Sequence, residues 1–256
     1  NIIDRLVLSS TDVFVTASLG ARSALARRGF PKSRIEAFPN GVAEPKSVRP
    51  ASEVRAELGI SDDQVAFAMI AYFEPRKGHM VLVEAVRLLA ASKPGLVDKL
   101  RLVLVADGPE LPAVRRAVRR HGMDKQFHFL GYRSDALNIL NACDGLVLPS
   151  IAAEDMPISI LEAMALSKPV ISSRLAGIVE EVSDRKTGFL VPPEDAAGLA
   201  EAIERLASDA GLRRSMGRAA KERFLSRFEI SKSAERYLNL YRSLLGRPPA
   251  AAPIGL

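Results

Sequence analysis

Cysteine and aromatic residues are scarce in this chain. One cysteine, Cys143, among 256 residues excludes an intrachain disulfide framework and a cysteine-cluster metal site, and fits a reducing compartment. Tryptophan is absent and aromatics make up 5%, which leaves little material for stacking nucleic-acid bases. The three histidines, His79, His121 and His128, are too dispersed for a metal-ligand motif, and His128 lies in an apolar stretch that reads as core. No apolar run is long enough to span a membrane, no signal-peptide pattern opens the sequence, and no Asn-x-Ser/Thr acceptor or Walker P-loop occurs.

What is present is ordinary globular composition, 48% hydrophobic and 26% charged, enough for a sizeable core in one large or two small domains. The net charge of +6 is modest. Its densest cluster, Arg115, Arg116, Arg119 and Arg120, reads first as the solvated face of a helix, with attraction to anionic lipid or an acidic acceptor as the alternative. Together these features imply a cytoplasmic protein, membrane-peripheral at most.

Apolar runs alternate with helix-periodic segments. The pattern predicts strands at 12–17, 64–72, 100–106, 126–130, 145–148, 169–172 and 188–191, with a further short strand ahead of Pro39. It predicts helices at 18–28, 77–91, 111–121, 134–142, near 178–182, from Asp195 to about 206, and at 211–226 and 231–244. Ser52 is placed to cap a short helix reaching Leu58. The fold class this implies is α/β, a doubly wound, mostly parallel sheet covered on both faces.

Two glutamates eight positions apart, Glu154 and Glu162, carry the most chemistry. The buried strand 145–148 stops at Pro149, a polar loop follows, and Pro157 is expected in the first turn of a helix, where its missing N–H costs nothing. Glu154 then lies past the strand's carboxyl end and Glu162 about one turn into the helix, both able to face the crevice where open α/β sheets bind ligands. A carboxylate accepts paired hydrogen bonds from vicinal hydroxyls, and the N–H groups of Ile158, Ser159 and Ile160 at the helix's positive end suit a phosphate. Diol, diphosphate and diol describe a nucleotide sugar. As plain surface charges the two glutamates would need no partner. Glu162, however, sits among Ile160, Leu161, Ala163, Met164 and Ala165, where a charge needs one. In Glu74-Pro75-Arg76-Lys77-Gly78, Lys77 is a compact cation for a diphosphate and Gly78 lets the backbone come close. The plain alternative, a surface lysine at a helix start, is disfavoured by the helix dipole.

These stretches resemble, in order, the motifs of retaining family-4 glycosyltransferases with the GT-B fold. Glu154 to Glu162 resembles the two-glutamate signature, Pro39-Asn40-Gly41-Val42 the interdomain segment, Arg76-Lys77-Gly78-His79 the "K-G" loop, and Ala106-Asp107-Gly108-Pro109 the "G-x-G-P" loop. Phe129-Leu130-Gly131-Tyr132, Lys168-Pro169-Val170-Ile171 and Thr187-Gly188-Phe189-Leu190-Val191 resemble three later strand motifs, so the likeness runs from about Asp12 to Leu245. It implies a Rossmann-like domain forming the carboxyl-terminal half of a GT-B enzyme. That half would bind a nucleoside diphosphate sugar and transfer its sugar to an acceptor hydroxyl. Residues 1–41 would be the last piece of the amino-terminal acceptor domain and the hinge, 42–230 the donor domain, 231–247 a helix packing back on the amino-terminal domain, and 248–256 a flexible tail.

The resemblance also implies roles. Glu154 would bind the transferred sugar and stabilise charge at its anomeric carbon, Lys77 would neutralise the leaving diphosphate, and Glu162 would clamp the ribose. Tyr132 and Arg133 would face the nucleobase, Gly108 would shape a tight turn near the donor, and Met156, Pro157, Ile158 and Ser159 would line it. Asn40 and Gly41 would shape the hinge. The sequence departs from the family at Ala71-Tyr72, where "G-R" is usual, so Arg76 beside Lys77 is expected to supply the missing charge near Tyr72; Pro157 stands where glycine is common. No D-x-D motif occurs, which favours a metal-independent transfer with no cofactor beyond the donor substrate. A glycoside hydrolase also uses two carboxylates but leaves Lys77 and the helix terminus unexplained. A module that binds nucleotide sugar without turning it over is the alternative from another class.

Overall fold

Two parallel sheets organise the chain, whose computed structural model describes residues 10–246. The tail at 248–256 and the last residue of the expected carboxyl-terminal helix therefore lie outside the described residues. The larger sheet contains β3 (Val65–Ile70), β4 (Leu100–Val105), β5 (Phe127–Gly131), β6 (Gly145–Leu148), β7 (Val170–Ser173) and β8 (Gly188–Val191). Their spatial order is β5-β4-β3-β6-β7-β8, with every pairing parallel.

Helices cover this sheet. They are α2 (Ala51–Glu57), α3 (His79–Ser92), the single turn α4 (Pro94–Val97), α5 (Leu111–Arg120), α6 (Ala136–Ala142), α7 (Ile158–Ala165), α8 (Ile178–Glu181), α9 (Ala196–Ser208), α10 (Ala210–Arg227) and α11 (Ile230–Leu244), with α1 (Leu19–Arg27) preceding them. The central strands are near-continuous apolar runs because both faces are covered. Ala66 to Met69, Leu102 to Leu104 and Leu146 to Leu148 are all buried. On α3 the inward stripe Leu82, Val83, Ala85, Val86 and Leu89 packs beside α9, while α10 lies against α7. No described helix is long and apolar enough to cross a membrane.

The smaller sheet pairs β1 (Phe14–Thr16) with β2 (Ile35–Ala37) around α1. Ser18 caps α1 through the Ala21 N–H. The carboxylate of Glu180, on α8, accepts the next free donors, Leu19 N–H at 3.1 Å and Gly20 N–H at 3.0 Å. A side chain at Gly20 would meet Ala176 at 2.7 Å, so the glycine permits this close approach. Near the other end, Val42 and Phe228–Ile230 exchange backbone hydrogen bonds, and Phe38 meets Tyr237 of α11 edge to face at 5.2 Å.

The doubly wound parallel sheet is as expected, and β6 and β8 match their predicted limits. Three local expectations change. Pro157 is the N-cap of α7, with extended backbone, rather than its first helical residue. Helix α2 begins one residue before Ser52 with Pro50 at its cap, so the Ser52 side chain caps nothing. Lys77 ends a 3-10 turn, Pro75–Lys77, and α3 starts only at His79 because Gly78 adopts a left-handed φ of 73°. The turn α4 has four residues, too few for a periodic signal.

Candidate functional site

Strand order reverses between β3 and β6, which are neighbours in the sheet although their outgoing connections run to opposite sides. Past their carboxyl ends the chains diverge and open a crevice. One wall is the turn from Ala71 to Gly78; the other is the loop from Pro149 to Pro157 leading into α7. The two walls are stitched together. Ile151 N–H donates to the Arg76 carbonyl at 2.8 Å, and a Cβ at Gly78 would fall 1.9 Å from the Pro149 carbonyl oxygen. Gly78 thus meets two demands at once, a left-handed backbone and contact with no side chain.

Glu154 is the meeting point. Its side chain is only 6% exposed, and its Oε1 accepts from Lys77 Nζ, from Arg76 Nη1 at 3.1 Å and from the buried Ser150 Oγ at 3.2 Å. Arg76 also donates to the Ala153 carbonyl at 3.0 Å and pairs with Glu74 at 2.7 Å. Ala153 itself is left-handed, with φ 50°, a strained conformation that delivers the next residue, Glu154, into the crevice. The sequence left the direction of Arg76 open; the fold turns it into the crevice beside Lys77.

Glu162, about one turn into α7, is half-buried, and among the described residues no hydrogen bond or ion pair reaches its carboxylate. Burial alone pushes its pKa up. The partner expected for this charge is therefore not supplied by the described residues. At the start of α7, the Ile158 and Ser159 N–H groups have no acceptor among the described residues, whereas Ile160 N–H donates to the Pro157 carbonyl at 3.0 Å. The expected trio of free donors is thus a pair, because the N-cap turn itself consumes the third.

The remaining predicted residues divide. Tyr72 follows β3 and is 54% exposed; Tyr132 follows β5 and is 77% exposed. Gly108, at φ 153°, presses on Phe73, where a Cβ would lie 2.5 Å from the carbonyl oxygen, in keeping with the tight turn expected there. Met156 is buried and anchored, its carbonyl accepting from Asn40 Nδ2 at 3.0 Å. Arg133 is held away from free ligation by Asp135 at 2.7 Å and Glu57 at 3.0 Å. His128 is half-buried rather than core, and its pKa is lowered by that burial.

Several residues at the site were not legible from sequence. Asn40, expected to shape a hinge, braces the Glu154 loop across 116 positions. His79 stacks on Phe73 at 4.0 Å beneath the Lys77 turn, and burial lowers its pKa to about 4, so it is neutral at physiological pH. Glu181 is fully buried behind the loop, and among the described residues neither of its carboxyl oxygens has a hydrogen-bond partner; Asp155 Oδ1 is likewise buried without one. Burial, and then the charges of Glu154, Asp155 and Glu180, raise the Glu181 pKa well above the carboxylate range. Elsewhere, a cavity of about 200 Å³ beside β8 has two of its three lining arginines engaged, Arg174 by Asp184 at 2.7 Å and Arg205 over the Phe189 ring at 4.4 Å.

Comparison with known proteins bears on the fold and the family. Among solved structures, Anabaena HepE in complex with UDP superposes with a TM-score of 0.86 over 93% of this chain and 66% of that one, at 23% identity, a likeness of fold. The N-acetyl-alpha-D-glucosaminyl L-malate synthase of Bacillus anthracis is 29% identical over 77% of this chain and 50% of its own length. The D-inositol 3-phosphate glycosyltransferase of Saccharomonospora viridis is 32% identical over 77% of this chain and 47% of its own. The chain thus spans about half the length of these curated relatives. Residues 51–223 match the family described as Glycosyl transferases group 1, which includes every crevice residue from Tyr72 to Glu162, and the chain belongs to that family.

Proposed function

We propose that this chain is the donor-binding half of a retaining glycosyltransferase, which moves a sugar from a nucleoside diphosphate to an acceptor hydroxyl. The observation that carries the reading is the convergence of Arg76 and Lys77 on Glu154 at the sheet's reversal point, with Glu162, unpartnered among the described residues, about one turn into the helix that follows. The two cations and the Ile158 and Ser159 N–H groups suit a diphosphate. Glu162 suits the ribose diol and Glu154 the hydroxyls of the transferred sugar. Lys77 and Arg76 would neutralise charge building on the leaving diphosphate, replacing the arginine that Tyr72 does not provide. That diphosphate would help deprotonate the acceptor on the same face, without a covalent enzyme nucleophile or a metal ion. The names of the relatives, which transfer sugars, and the UDP complex of the fold neighbour support this reading.

By the same reading residues 1–41 belong with an amino-terminal acceptor domain and hinge, and 42–230 form the donor domain. Helix α11 returns toward the amino-terminal domain; the separate β1–β2 sheet and the Phe38–Tyr237 contact support this division. The location would be cytoplasmic, and the exposed arginine face of α5 would suit an anionic membrane surface.

The test is calorimetric titration with UDP, GDP and ADP in the presence of a chelator, expected to show selective binding of one. Glu162→Ala should weaken that binding, and Lys77→Ala should weaken diphosphates far more than nucleosides; equal losses for both ligand classes would refute the phosphate role. The exposed Tyr72 keeps one other reading open, a module that binds the nucleotide sugar without transfer. Turnover by the full-length protein would exclude it.

A further inference from the structure

We infer that Glu154 and the donor's diphosphate compete for the same two cations, so that Glu154 acts as an internal stand-in anion whose release is part of donor binding. This rests on the donor-binding reading above and deepens it.

The geometry is one-sided. Three donors crowd Oε1 of Glu154, from Arg76, Lys77 and Ser150, while Oε2 has no partner among the described residues. Ser150 is fully buried and the Glu154 side chain nearly so, and Arg76 additionally holds the Ala153 carbonyl. A carboxylate taken this far from water needs its cations. A diphosphate offers more negative charge and more acceptor oxygens than one carboxylate, so it can draw Arg76 and Lys77 away. Arg76 is built to move. Its side chain is 38% exposed, and its second amino group is held by Glu74, outside the loop, so the guanidinium can turn about that anchor. Once the cations transfer, Glu154 is left with Ser150 and a free Oε2, and it needs new donors. Sugar hydroxyls are donors of the right kind. The sequence of events therefore couples diphosphate capture to exposure of the sugar-binding carboxylate.

The consequence runs against the usual effect of removing a binding-site residue. Glu154→Gln keeps the shape, removes the competing charge and should tighten nucleoside diphosphate binding about tenfold, a difference of about 1.4 kcal/mol. The corresponding nucleoside should be unaffected. The experiment titrates UDP, GDP, ADP and the matching nucleosides into the unaltered chain, Glu154→Gln, Arg76→Met and the double variant, with thermal melts to check folding. The inference is supported if Glu154→Gln gains diphosphate affinity and most of that gain disappears when Arg76 is methionine. Unchanged or weaker diphosphate binding by a folded Glu154→Gln overturns it while leaving the donor-binding reading intact. A gain of the same size in the Arg76→Met background also overturns it, since general charge repulsion would then suffice. If Glu154→Gln does not fold, Arg76→Met alone decides: it must weaken diphosphates selectively, and equal affinity overturns the assignment. Absence of nucleotide binding in all four proteins overturns the donor-binding reading itself.

Discussion

Replacing Glu181 by leucine should stabilise this protein, and by an amount that grows with pH. Glu181 is 0% exposed and neither carboxyl oxygen has a hydrogen-bond partner among the described residues. Arg223 donates to the main-chain carbonyls of Glu180 and Glu181, at 2.7 and 2.6 Å, and not to the Glu181 carboxyl. With burial and three neighbouring acids all opposing ionisation, the folded pKa lies well above the ordinary value of 4.5. Between those two values the unfolded chain is deprotonated while the native state keeps its proton. Stability therefore falls by about 1.4 kcal/mol for each pH unit over that window and levels off above the folded pKa. Leucine removes this slope and also an unsatisfied buried carboxyl, itself costing about 1–3 kcal/mol. Urea denaturation at pH 5.5, 6.5 and 7.5 should show a gap between variant and parent that widens with pH. The midpoint of thermal unfolding should rise by about 2–4 °C per kcal/mol for a domain of this size. Glu181→Gln, which cannot titrate but stays polar, should abolish the slope with a smaller gain. A gap that does not change with pH, or a leucine variant less stable at every pH, would refute the reasoning and mean that Glu181 has a partner.

Three further outcomes are expected. Gly78→Ala should cost about 1–3 kcal/mol in stability and abolish nucleotide binding, because its Cβ would meet the Pro149 carbonyl at 1.9 Å on a backbone with φ 73°; calorimetry showing parental affinity would contradict this. Arg185→Gly should stabilise by about 0.5–1 kcal/mol, since Arg185 holds a left-handed φ of 61° in the turn before β8; an unchanged or lowered denaturation midpoint would count against it. Glu180→Ala removes both carboxylate contacts to the start of α1 and should cost about 1–2 kcal/mol there; hydrogen exchange should show faster exchange of the first α1 amides, and unchanged protection would contradict the capping role.

The sheet was legible because burial on both faces writes itself as uninterrupted apolar runs. Strands β6 and β8 were predicted to the residue, bounded by Asp144 and Pro149 and by Thr187 and Pro192. Boundaries drifted where a single local choice decided them, as at Gly78, whose left-handed backbone moved the start of α3 from Lys77 to His79. Glu154, Arg76 and Lys77 stood out as candidates because charge in short loops beside apolar strands has few structural uses, and Glu162 because it is a charge in an almost wholly apolar helix.

What the sequence by itself determined was the main set of elements, their parallel pairing and the residues whose chemistry makes them candidates for the proposed diphosphate and diol contacts. These follow from local periodicity and from side-chain chemistry, which need no knowledge of distant neighbours. Only the tertiary structure decided the pairings. Arg76 turned toward Glu154 across 78 positions, Asn40 braced Met156 across 116, and Arg133 was drawn to Glu57 across 76. The same holds for Glu181, unremarkable in a four-residue helix yet buried near Glu154 and Asp155 without a hydrogen-bond partner among the described residues. Electrostatic partners and burial depend on which segments the strand order brings together, and no short stretch of sequence contains that information.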